Sequence, residues 1–145
     1  MAVETYAELR ISSRTLTPEQ ISSGVGLEAD KARKMGEPRV LSKGYEGPPI
    51  YEKETRWELR STLPTGEPIE AHIDDLSERI EPVAEAIRVL ADDNTVTFAC
   101  VIYADSEEDY NPEVFVPRST VEFLRALGAN FWVDVYFVAE GKETG

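Results

Sequence analysis

The ten residues Thr95–Ala104 read TVTFACVIYA. In an extended chain Phe98, Cys100 and Ile102 fall on one side, and Ala99, Val101 and Tyr103 on the other. Apolar character on both sides predicts a strand with neighbours, inside a sheet rather than at its solvent margin. Upstream, Ile69, Ile73, Leu76 and Ile80 recur at the spacing of one helix face. Pro82 interrupts that face, and Val83, Ala86, Ile87 and Leu90 resume it, so two short helices or one kinked helix are expected before the Asp92-Asp93-Asn94 turn. Further upstream, Thr55–Ser61 alternates, with Trp57 and Leu59 one way and Arg56, Glu58 and Arg60 the other. Downstream come the acidic turn Asp105–Asp109, a short strand Glu113–Val116, and a helix capped by Ser119 with Glu122 and ended by Gly128. The last strand is Phe131–Val138, with Phe131, Val133, Val135 and Phe137 toward the core and Trp132, Asp134 and Tyr136 away from it.

The chain opens with an alternating strand, Tyr6–Ser12, whose apolar side is Ala7, Leu9 and Ile11. Thr17, Pro18 and Gln20 then form a helix start of the capping-box type, and Gly24 or Gly26 ends that helix. The resulting order is β-α-β-α-β-β-α-β. It predicts an α+β two-layer sandwich of about five mostly antiparallel strands, helices on one face, with ferredoxin-like order in the C-terminal two thirds. The expected core is Leu9, Ile11, Trp57, Leu59, Phe98, Ile102, Leu124, Phe131, Val133 and Val135. Residues 30–54, rich in Gly and Pro and without a period, are expected to be a mobile loop, and the tail from about residue 140 to fray.

At 145 residues one domain is expected, 1–145, large enough for a real core. Twenty-eight acids against fifteen Lys and Arg leave a net charge of −13. That balance argues against nucleic acid and against anionic membrane surfaces. No apolar run approaches the length of a membrane span. MAVETYAEL lacks the apolar segment of a signal peptide. With a single cysteine no internal disulfide forms, and a cytoplasmic location is expected.

Catalytic signatures are missing. Gly24-Val25-Gly26 follows a helix, so it reads as a helix end and not as a phosphate cradle. His72, the one histidine, is expected to be solvated near a helix start. Cys100 is expected to be a buried, inert thiol. No metal site and no cofactor are expected: Asp105–Asp109 reads as a solvated turn, and Asp74 and Asp75 point apart. Lys31, Arg33, Lys34 and Arg39 form a basic cluster in an acidic chain. They either neutralise nearby acids or contact an anion, since guanidinium forks match carboxylates and phosphates.

Several groups of residues together resemble the bacterial family catalogued as domain of unknown function 4279. They are Tyr6–Ile11, Thr17-Pro18-Glu19-Gln20, Arg33–Glu37, Trp57-Glu58-Leu59, Leu127-Gly128-Ala129 and Val133–Tyr136. The resemblance implies a small stand-alone cytosolic bacterial protein, in a family with no established reaction or catalytic residues, some of whose members have expected immunity or other interaction roles.

Two function classes follow. In the first, the chain is a non-enzymatic interaction module, immunity-like or regulatory, whose acidic character suits a protein partner with a basic surface. In the second it binds a small molecule or anion, and even works as an enzyme, through carboxylates and Arg10, Arg33, Arg39, Arg56 and Arg60. In either case the expected binding face is Arg10, Arg56, Arg60, Trp132, Asp134 and Tyr136, which the alternation turns away from the helices.

Overall fold

The computed structural model describes residues 3–39, 41, 43–104 and 113–137. Five strands form one sheet: β1 (Val3–Ser13), β2 (Lys31–Arg33), β3 (Thr55–Arg60), β4 (Thr95–Ala104) and β5 (Asn130–Phe137), in the order β2-β3-β1-β4-β5. β1 lies at the centre, antiparallel to β3 and β4; β2 pairs antiparallel with β3, and β5 pairs parallel with β4. The helices are α1 (Pro18–Val25), α2 (Ile69–Ile80), α3 (Ala84–Leu90) and α4 (Arg118–Leu127), with a 3-10 turn at Glu81–Val83 between α2 and α3.

The alternation read from the sequence sets the two faces. On the inner face Trp57–Ile11–Val96 and Leu59–Leu9–Phe98 lie in rows across the strands. Ile21 and Val25 of α1, Ile73, Leu76 and Ile80 of α2, Ile87 of α3 and Leu124 and Leu127 of α4 close over them in one apolar cluster. The architecture is thus an α+β two-layer sandwich with an open, mostly antiparallel sheet.

Helix ends follow local chemistry. Thr17 and Gln20 make the reciprocal capping box, and Gly26 ends α1 at φ 89°, a left-handed conformation that glycine adopts without steric cost. The only GxG is therefore a helix terminus, as its position after a helix implies. Pro82 falls in the 3-10 turn, where the helix face is interrupted as expected.

Other expectations are corrected. Glu113–Val116 is not a strand; the chain enters α4 after Pro117, and the Phe115 N–H donates to Glu70 on α2 at 3.3 Å. Without that strand the ferredoxin-like order is not found: β4 passes through α4 to β5 as a parallel unit. The fifth strand is instead β2, inside the segment expected to be a loop, and a Pro38–Tyr51 bridge closes the chain beyond it. α4 begins at Arg118 with Pro117 in the cap position, so Ser119 lies inside the helix and caps nothing. The inward side of β5 is correct in register but not in burial. Phe131 and Phe137 remain 40% and 48% exposed, Val133 is also exposed and Val135 is half-buried, because β5 is an edge strand and the helix layer centres on β1. The acidic turn at Asp105–Asp109 and the tail from residue 140 lie outside the described residues.

Candidate binding face and basic cavity

Tyr6, Glu8, Arg10 and Ser12 of β1 point away from the helices. The register sets Arg60–Glu8–Ala99–Trp132 in one row across four strands. Lys31–Glu58–Arg10–Thr97 forms the next, and Arg33–Arg56–Ser12–Thr95 the one after. All six expected face residues, Arg10, Arg56, Arg60, Trp132, Asp134 and Tyr136, therefore sit on the outer face.

They do not share one environment. Glu8, almost fully buried, accepts from Arg10 Nε at 2.7 Å and from Arg60 Nε at 2.8 Å. Arg10 Nη2 reaches on to Asp134 at 3.2 Å, across β4 from β1 to β5. The small side chain of Ala99, beside Glu8 in the register, leaves that route open. Trp132 Nε1 also donates to Asp134. Arg60 lies over the Tyr6 ring at 4.3 Å, a cation–π contact. Tyr103 and Tyr136 stack with centroids 5.0 Å apart. Arg10 and Arg60 are thus committed to internal carboxylates, while the exposed Arg56 side chain has no hydrogen bond or ion pair among the described residues.

Burial pushes the Tyr6 hydroxyl up to about 12, against the opposing pull of Arg60, so it remains a hydrogen-bond donor. Glu58 is raised above the ordinary carboxylate range, first by burial and then by the neighbouring charge of Glu8, with Lys31 opposing.

The basic cluster divides. Lys31 and Arg33 are on β2, and together with Arg39, Arg56, Glu52 and Glu58 they line a cavity of about 380 Å³. Lys34 does not line it; its backbone N–H is held by Glu37 at 2.8 Å. Glu52, mostly buried, meets Arg33 at 3.7 Å and Arg39 at 3.5 Å. A second hollow of about 190 Å³, bordered by Arg10, Arg56, Glu58, Thr97 and Trp132, adjoins it through Arg56 and Glu58. Sequence reasoning named the cations and missed Glu8, Glu52 and Glu58. Alternation already placed Glu8 and Glu58 on this face; Glu52 carried no comparable signal.

His72 is not solvated, as its position near a helix start had suggested. It is fully buried, with Nε2 3.1 Å from the Pro64 carbonyl and Nδ1 2.7 Å from Ser61 Oγ. Both ring nitrogens are occupied, so neither is available to activate Cys100, whose thiol burial pushes up to about 12. Among the described residues no group of three or more His, Cys, Asp or Glu side chains is placed to hold a metal ion. Nor is any described helix long and apolar enough to cross a membrane.

The fold and face define a small α+β domain with an open polar sheet surface. The family described as Domain of unknown function (DUF4279) matches residues 3–138, and the chain belongs to that family. No curated protein and no solved structure matches it.

Proposed function

We propose that the chain is a non-enzymatic interaction module that recognises a protein partner through the outer face of its sheet. The observation that carries this reading is the grouping of Trp132 and Tyr136, both about half exposed, on the same face as the unpartnered Arg56. Arg, Trp and Tyr are enriched at interface hot spots. Water alone does not account for two large aromatics on an open polar sheet face. The reactive groups are committed elsewhere: His72 to two buried hydrogen bonds, Cys100 to the core, and Tyr6 to a hydroxyl that keeps its proton. The cations on this face suit an acidic segment of the partner.

The test is titration of an Asp/Glu-rich peptide containing one aromatic residue, followed by tryptophan fluorescence. Trp57 is buried, so a change in emission reports on Trp132. Alanine at Arg56, Arg60, Trp132 or Tyr136 should weaken binding by about 1 kcal/mol or more at some of these positions, with modest loss of stability except at Arg60, whose removal leaves the buried Glu8 short of a partner. Wild-type binding in all four variants would remove the face from consideration. The basic-partner reading draws support from a different surface, the exposed Asp74, Glu78, Glu81 and Glu85 of the helix layer. A Lys/Arg-rich peptide whose binding falls in Glu78→Gln and Glu81→Gln, but not in Trp132→Ala, would favour it.

A further inference from the structure

We infer that the cavity between β2, β3 and the chain following β2 is a binding site for a phosphoryl group, a phosphate monoester dianion held by Lys31, Arg33, Arg39 and Arg56. The inference does not depend on the partner-face reading, because inorganic phosphate needs no peptide.

The first argument is the strand register. Arg33 on β2 is paired directly with Arg56 on β3, and both line the cavity. Like charges directly opposite across two strands repel. An arrangement that brings two guanidinium groups to one hollow is relieved by an anion between them.

The second argument is the charge each lining residue has left. Arg33 and Arg39 share one buried carboxylate, Glu52, at 3.7 and 3.5 Å. Those lengths are long for charge-assisted hydrogen bonds, so both guanidinium groups keep donors for a ligand. Arg56 has no partner among the described residues. Lys31 faces Glu58 across the register without closing to ion-pair distance. The four cations against the carboxylates of Glu52 and Glu58 leave an excess of two positive charges, which matches the charge of about −1.5 to −2 on a phosphate monoester at neutral pH. A single carboxylate would neutralise only one of them.

The third argument is size. A cavity of about 380 Å³ lies within the range of roughly 300–1,000 Å³ typical of small-molecule sites. It admits a phosphoryl group together with the group that carries it. That group is either a side chain of a phosphorylated protein or the remainder of a small metabolite, and the chemistry recognised is the same.

The test is calorimetric titration with inorganic phosphate, at ionic strength held constant with sodium chloride. Saturable one-site binding is expected. Arg56→Gln and Lys31→Gln should each weaken it about tenfold, the loss of one charge-assisted contact. Both side chains are exposed, so neither variant should unfold at lower urea than the wild type. Arg118→Gln, on the helix layer, is the control and should bind as the wild type does. A phosphoserine peptide and a nucleoside monophosphate are titrated alongside. Tighter binding of the first assigns the phosphoryl group to a protein, and tighter binding of the second to a small molecule. No saturable binding of any of the three, or an equal loss in Arg118→Gln, would overturn the inference.

Discussion

His72 shows how a lone polar side chain is absorbed into a fold. The Pro64 carbonyl can only accept, so Nε2 carries the proton and Nδ1 accepts from the Ser61 hydroxyl. Ser61 Oγ in turn accepts from the Ala7 N–H at 3.0 Å, which ties α2 and the turn after β3 to the central strand. Cys100 sits on β4, directly opposite Ala7 of β1 in the register, and is fully buried. Burial first, and the charge of Glu70 second, push its thiol up to about 12, so the nucleophilic thiolate is scarce at neutral pH. Labelling of the native protein by a thiol reagent should be slow and should become rapid on adding denaturant; rapid native labelling would contradict the buried thiol. Glu58 makes a prediction about pH. Its native pKa is raised, so between its unfolded value, about 4.3, and the raised native value the folded state binds the extra proton. Stability from this group is complete below the unfolded value and is lost as pH rises through the native one. Glu58→Gln should therefore be more stable than the wild type at pH 8 and gain little at pH 4. Urea denaturation at the two pH values measures this, and an equal gain at both would refute the shift.

At the scale of elements, β5 and α4 separate register from burial. Leu124 of α4 is 5% exposed and belongs to the apolar cluster, whereas Phe131 of β5 is 40% exposed although it faces the same way. Leu124→Ala should cost roughly 2–5 kcal/mol. Phe131→Ala, with less area to lose, should cost roughly 1 kcal/mol or less. Urea midpoints compare the two, and a larger loss at Phe131 would mean that the edge strand is covered more than its exposure shows. The same contrast explains what could be read without coordinates. Alternation in β1 and β3, the α2 face and the Thr17–Gln20 box are set by a period or cap within a few residues, so they were legible. The three residues of β2 are too few to show a period. The apolar residues Val114, Phe115 and Val116 suggest a strand, but none forms beside β4, which already has β1 and β5 as neighbours. Pairing partners and the reach of the helix layer are long-range properties. A local pattern fixes which way Val133 points but not what covers it.

Across the whole molecule, charge is segregated in a way its sum conceals. The chain carries −13. Yet Arg10, Lys31, Arg33, Arg39, Arg56 and Arg60 gather on the outer face and its cavity, against the carboxyls of Glu8, Glu52, Glu58 and Asp134. The exposed side of the helices carries Asp74, Glu78, Glu81 and Glu85 beside the cations Arg88, Arg118 and Arg125, of which Arg88 pairs with Asp92 and Arg118 with Glu122. The cations of the face were legible from alternation. Their division into committed and free arginines was not, because it depends on which carboxylate each meets across two or three strands. Segregation makes binding of an acidic peptide to the outer face depend on salt in two opposed ways. A chain of this length has a radius of gyration of about 15 Å. At 0.01 M salt the Debye length is about 30 Å, so the peptide is repelled by the charge of the whole molecule. At 0.1 M it is about 10 Å, the acidic helix side is screened, and attraction by the nearby cations remains. At 1 M it is about 3 Å, and that attraction is lost as well. Affinity should therefore pass through a maximum near 0.1 M, measured by Trp132 fluorescence at the three salt concentrations. Affinity that only rose with salt would show that the cations of the face do not set the interaction, and affinity that only fell would show that the acids of the helix layer are not felt there.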